Sequence, residues 1–91
     1  MTCYCYILEC ADGTYYTGWT ADPQRRLNQH NKGTASRYTR ARLPVKMVYL
    51  EPQEDRRAAM KRERAIKRMA RVQKTKLCKG TALLRPDAIN P

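Results

Sequence analysis

The sequence predicts one α+β domain, a small antiparallel-containing sheet flanked by helices in the order β-β-α-β-α with a further helical stretch behind it. Three observations predict it. Cys3 to Cys10 is apolar on both alternating faces, Tyr15 to Thr20 is rich in aromatic and β-branched residues, and turn-forming residues Ala11 to Thr14 join the two runs. Asp22-Pro23 and Asp55 then open two helical stretches, because Asp is a preferred N-cap and Pro fits the first helical position. The 91 residues suit a single core and not two.

Taken in order, Tyr4, Tyr6 and Leu8 share one face of the first strand and Cys3, Cys5 and Ile7 the other, the pattern of a strand covered on both sides. The second strand follows as the other arm of a hairpin. The first helix runs from Pro23 to about Asn31 or Lys32 and stops at Gly33. Residues 31–45 are poor in aliphatics and carry Arg37, Tyr38, Arg40 and Arg42, which reads as a long basic loop with one short helical turn. Val45 to Leu50 is a third strand ended by Pro52. A second helix runs from Asp55 to about Met69, and Arg71 to Lys79 either continues it or forms a third. The domain is expected to span residues 1–79, with 80–91, which hold Pro86 and Pro91, as a flexible tail.

Charge narrows the function. The chain has 19 Lys and Arg against 8 Asp and Glu, net +11, and residues 1–24 contain Glu9, Asp12 and Asp22 but no Lys or Arg. The cationic field therefore belongs to everything after the first quarter. It favours a polyanion, and nucleic acid before lipid, since no stretch joins its cations to a broad Leu/Phe/Trp face. No run approaches the roughly 18 apolar residues of a membrane helix, and Met1-Thr2-Cys3-Tyr4 lacks the start of a secretory signal, so the cytoplasm is the expected location. Cys3, Cys5, Cys10 and Cys78 form neither a C-x-x-C pair nor a spaced disulfide framework, and Cys3 and Cys5, within the strand-like run, read as small buried hydrophobes.

Three features go beyond packing. Along the second helix Ala58, Ala59, Ala65, Ile66, Met69 and Ala70 form an apolar arc, interrupted by Arg62, and Glu63 projects at its margin. Glu63 is the only acid between Asp55 and Asp87, which fits either an ion-pair partner for the surrounding cations or a ligand for Mg²⁺, an ion commonly held by one or two carboxylates plus water and phosphate oxygens. In the first helix Arg26 and the single histidine, His30, stand four apart on one face, suited to gripping phosphate and to either structural or proton-transfer duty. Finally, the chain has six Tyr and no Phe, which points to a use for some of the hydroxyls; a phenol is a poor base at neutral pH unless cations stabilise its ionised form, as basic surroundings can, and a structural tyrosine with a satisfied hydroxyl is the commoner fate.

Tyr4-Cys5-Tyr6, Tyr16-Thr17-Gly18, Arg26 with His30 four residues on, and the lone helical Glu63 together resemble the GIY-YIG nuclease domain in its stand-alone bacterial form. The resemblance covers roughly residues 3–70. It implies a three-stranded antiparallel sheet and metal-dependent cleavage of DNA phosphodiester bonds. It implies that Tyr6 positions or deprotonates the attacking water, Tyr16 supports that network, Arg26 stabilises charge on the phosphate, His30 assists, and Glu63 holds Mg²⁺ or Mn²⁺. Tyr4, Cys5 and Thr17 depart from the family's glycine and two isoleucines, changes that bear on sheet packing more than on chemistry. On this reading Arg37, Tyr38, Arg40 and Arg42 hold the nucleic-acid backbone, with Tyr38 free to stack on an unpaired base. Branched, nicked or single-stranded DNA in repair or recombination is the expected substrate class.

Register tests the match. A two-residue Asp12-Gly13 loop puts Tyr6 and Tyr16 on opposite faces, whereas a three-residue Ala11-Asp12-Gly13 loop with left-handed Gly13 pairs Leu8 with Tyr16 and brings both phenols to one face. The second register is the one expected. Two rival functions share the charge pattern: a nucleic-acid-binding module that keeps the fold without turnover, and a basic subunit that docks on an acidic protein.

Overall fold

The computed structural model describes residues 1–80. The chain forms β1 (Cys3–Glu9), β2 (Tyr15–Thr20), α1 (Pro23–Asn31), α2 (Arg37–Arg40), β3 (Lys46–Gln53), α3 (Arg56–Lys67) and α4 (Arg71–Lys79). The strands make one antiparallel sheet in the order β2-β1-β3, the α+β arrangement expected. The tail expected over 80–91 lies, beyond Gly80, outside the described residues. Among the described residues no helix is long and apolar enough to cross a membrane.

Central β1 is buried on both faces. Tyr6 and Leu8 pack with Leu27 of α1 and with Val45, Met47 and Leu50 on one side, while Cys5 and Ile7 pack with Tyr49 and with Ala59 and Ile66 of α3 on the other. Leu8 pairs with Tyr16 across the hairpin, Cys10 N–H donates to the Thr14 carbonyl at 2.8 Å, and Gly13 takes a φ of 83°. The loop is therefore Ala11-Asp12-Gly13, and the turn needs glycine because a side chain is strained at that φ. Asp12 tightens it by accepting from the Thr14 N–H and hydroxyl at 3.1 and 2.6 Å. As expected, Tyr6 and Tyr16 point to one face.

The helix signals hold in detail. Asp22 accepts from Arg25 N–H at 3.1 Å with Pro23 in the first turn, Asp55 accepts from Ala58 N–H at 2.8 Å, and Gly33, with φ 78°, follows the end of α1. The short turn in the basic loop is α2, capped by Ser36. The loop is pinned at its far end by Asn31, whose amide donates to the Val45 carbonyl at 3.1 Å and accepts from Val45 N–H at 2.8 Å.

Two expectations are corrected. Pro52 does not end the third strand, which continues to Gln53 with Pro52 opposite Tyr4. An edge strand bonds its one neighbour through alternate residues only, so an absent N–H is tolerated there. The apolar arc of α3 is narrower than its sequence suggests: Ala59 and Ile66 are buried, but Ala65 and Ala70 are exposed. Arg62 takes the place they leave, turned inward to the buried Glu51 with its Nε 2.8 Å from Oε2 and a second nitrogen 3.2 Å from Oε1. Tyr49 and Gln53 each donate to the same carboxylate at 2.8 Å, so Glu51 is saturated and clamps α3 to β3. The rotation of α3 is thereby set, and Glu63, roughly 100° further round the helix, is aimed away from β3.

Thr17, on β2 facing α3, is buried with a hydroxyl that has no hydrogen-bond partner among the described residues. Replacing it with Val removes an unsatisfied polar atom at nearly constant shape. Thr17→Val is expected to raise stability by about 1 kcal/mol, read as a higher urea midpoint at unchanged slope.

Candidate active site

The sheet face that carries Tyr6 and Tyr16 meets α1 and the edge of β2 in a notch of about 210 Å³, lined by Tyr6, Tyr16, Gly18, Trp19, Arg26, His30, Ala35 and Glu63. All five residues expected to do chemistry line this notch. They arrive on β1, β2, α1 and α3, so only the folded chain assembles them.

Tyr6 stands opposite Gly18 in the sheet, and its ring occupies the space a side chain there would fill: a Cβ at position 18 would meet Tyr6 Oη and would lie 2.6 Å from Cζ. Glycine is thus needed for close approach and not for a left-handed backbone. The phenol is only 2% exposed, and its Oη lies 2.9 Å from His30 Nε2. His30 is 1% exposed, and its other nitrogen, Nδ1, lies 2.9 Å from Thr39 Oγ1. Both Tyr6 and Tyr16 meet the imidazole edge-on, with centroids 5.8 and 5.2 Å away.

Electrostatics decide the charge of this pair. Burial pushes the Tyr6 pKa up, with the nearby Tyr16 adding to the shift and the Arg26 guanidinium only partly opposing it, so the phenol is neutral at neutral pH and not ionised. Burial also pulls His30 down to about 4, helped by Arg26, which leaves an uncharged imidazole with one bare nitrogen. A neutral phenol hydrogen-bonded to a neutral imidazole can relay a proton without either group being charged at rest.

Arg26 is half-buried beside this pair. Glu63 enters from α3 with its side chain 18% exposed and makes a 3.5 Å pair with Lys67, whose own side chain is half in solvent. That ion pair is loose, so the carboxylate is available to a stronger partner. Among the described residues no group of three or more His, Cys, Asp or Glu stands together as a metal cage. One carboxylate beside a cationic hollow instead suits a hard divalent ion that completes its coordination with water and phosphate oxygens.

The four residues expected to hold nucleic acid separate into two kinds. Arg37 and Arg40 are exposed at the ends of α2. Arg42 is engaged within the fold, donating to Asp12 Oδ2 at 3.0 Å and to the Tyr38 carbonyl at 2.9 Å, and its guanidinium lies 3.9 Å from the Tyr38 ring centroid. Tyr38 also stacks on Tyr16 at 6.1 Å. Tyr38, 36% exposed, thus sits between Tyr16 and Arg42 beside the wall of the notch.

The residue types alone did not single out Thr39 or the Glu51–Arg62 clamp. Thr39 sits between Arg37, Tyr38 and Arg40, in a loop read for its charges. For the clamp a signal existed: Tyr49, Glu51 and Gln53 alternate onto one strand face, opposite an arginine that breaks an apolar helix stripe.

Comparison with known proteins shows the family and agrees with the fold. The family model described as the GIY-YIG catalytic domain matches residues 2–76. A UPF0213 protein of Streptococcus agalactiae is 53% identical over 68 residues, 75% of this chain and 77% of that one. Another from Halobacterium salinarum is 49% identical over 72 residues, covering 79% and 94%. Among solved structures, the solution NMR structure of a UPF0213 protein from Bacillus halodurans is similar at 35% identity and TM-score 0.59 over 97% of this chain and 94% of that one. A protein of E. faecalis, also solved by NMR, is similar at 41% identity and TM-score 0.61 over 93% and 91%.

Proposed function

The chain belongs to the GIY-YIG family, a nuclease family, and from that membership we propose that it is an endonuclease hydrolysing phosphodiester bonds in DNA with Mg²⁺ or Mn²⁺ held by Glu63. The observation that carries this reading is the convergence of Tyr6, Tyr16, Arg26, His30 and Glu63 on one notch. When bound, the divalent ion supplies Lewis-acid polarisation of the phosphate and stabilises the departing oxygen. The protein's own groups do the rest. Arg26 pairs with the phosphate as negative charge develops on it. Tyr6 accepts a proton from the attacking water while passing its own to His30 Nε2, so the water oxygen bonds to phosphorus as the bond to the 3′ oxygen breaks. The leaving oxygen is protonated by solvent. Tyr16 keeps the imidazole in place through its edge contact.

Arg37 and Arg40, with the exposed cations Arg56, Arg57, Lys61 and Arg64 along a groove on α3, supply backbone attraction that is independent of sequence. A surface of this kind favours recognition of DNA shape, which supports branched or nicked duplexes, and hence repair or recombination, as the field of action.

Incubation of the pure protein with branched, nicked and single-stranded DNA checks the reading. Cleavage with Mg²⁺ or Mn²⁺ that EDTA stops is the expected result. Salt-sensitive binding without cleavage in any metal would make the protein a binding module that retains the fold.

A further inference from the structure

We propose that Thr39 is a positioning residue that keeps the His30 ring proton on Nδ1, leaving Nε2 bare to accept the hydrogen bond from Tyr6. Tyr6, His30, Thr39 and the Ser36 carbonyl form a chain with separations of 2.9, 2.9 and 3.4 Å. With the ring proton on Nδ1, that nitrogen donates to Thr39 Oγ1, the Thr39 hydroxyl turns to the Ser36 carbonyl, and the Tyr6 hydroxyl donates to Nε2. Every donor then has an acceptor.

Placing the ring proton on Nε2 reverses the chain. Thr39 donates to Nδ1, Nε2 donates to Tyr6, and the phenolic proton is left with no acceptor in the hydrogen bonds of the described residues. Tyr6, His30 and Thr39 are 2%, 1% and 0% exposed, so a phenolic proton turned away from His30 has only the water of the notch to meet in place of a fixed imidazole acceptor, and a poorly paired donor at so buried a position is disfavoured. The Ser36 carbonyl also accepts from Arg40 N–H at 3.0 Å, which its second lone pair permits. Thr39 acts through His30 and touches no reacting atom.

The consequence for catalysis rests on the nuclease reading: only the first arrangement gives the phenolic proton a bare Nε2 to move to, so that Tyr6 can take a proton from water as it passes its own on. The tautomer itself does not depend on that reading. His30 is the single histidine of the chain, so its two ring nitrogens give unambiguous ¹⁵N signals in the intact protein at neutral pH. The expected spectrum shows a protonated Nδ1 and a bare Nε2. Thr39→Val is expected to populate the Nε2-protonated form and lower the cleavage rate about 10- to 100-fold, the scale seen when an outer partner of a catalytic imidazole is removed. Thr39→Ser, which restores the hydroxyl, is expected to restore both. A native spectrum with protonated Nε2, or a Thr39→Val spectrum identical to the native one, overturns the proposal. The expected tautomers with no cleavage in any variant would instead remove the nuclease reading and leave the Thr39 assignment standing.

Discussion

Glu63→Gln is expected to lower the rate of metal-dependent DNA cleavage by at least ~10²–10³-fold, the scale of losing one preorganised electrostatic element at a reacting phosphate, while leaving DNA binding intact. Glutamine keeps the volume and one oxygen but loses the charge that attracts a divalent ion. Little else depends on that charge. Its partner is Lys67 at 3.5 Å, a loose i,i+4 pair whose lysine is half in solvent and of the kind that contributes a few tenths of a kcal/mol, so the fold should be unaffected. Removing one acid from a chain of net +11 makes binding to a polyanion slightly tighter if anything. Single-turnover cleavage beside a gel-shift titration separates the two quantities. Unchanged cleavage would take the metal away from Glu63; loss of binding together with cleavage would show that the substitution had damaged the fold.

What was legible in the sequence follows from how local each constraint is. The hairpin register is written in three residues, because Gly13 at a left-handed φ determines which strand positions face each other, and through them that Tyr6 and Tyr16 share a face. The caps at Asp22 and Asp55 are equally local. Features that depend on a partner remote in sequence were misread. Pro52 looks like a strand end until β3 is known to be an edge. Arg62 looks like a flaw in an apolar stripe until Glu51, eleven residues earlier, is seen beneath it. Nothing in the loop reveals that Asp12 lies beside Arg42 and Tyr16 beside Tyr38. The protonation state of Tyr6 is decided in the same non-local way: nearby cations favour the phenolate, and the burial that outweighs them exists only in the fold.

Tyr6→Phe tests the chemistry at its centre. Phenylalanine keeps the ring that fills the space over Gly18 and deletes only the oxygen between water and His30. Stability is expected to fall by about 1 kcal/mol, since His30 Nε2 loses its partner inside the protein. Cleavage is expected to fall by ~10²–10⁴-fold, the range for a positioned proton acceptor. The pH profile of the unaltered protein separates a relay from a phenolate mechanism. At the ordinary phenol pKa of about 10 only on the order of one Tyr in a thousand is ionised at pH 7, and burial reduces that fraction further. A phenolate base would therefore give a rate that climbs about tenfold per pH unit toward pH 10. The relay instead needs a neutral His30, and because its pKa is lowered to about 4, the neutral form persists down to that value and is lost only below it. Activity should be level from about pH 5 to 9 and decline on the acid side. Arg26 opposes protonation of the imidazole from within the notch, so the anionic phosphate, by countering Arg26 on arrival, strengthens His30 as an acceptor at the moment the proton moves.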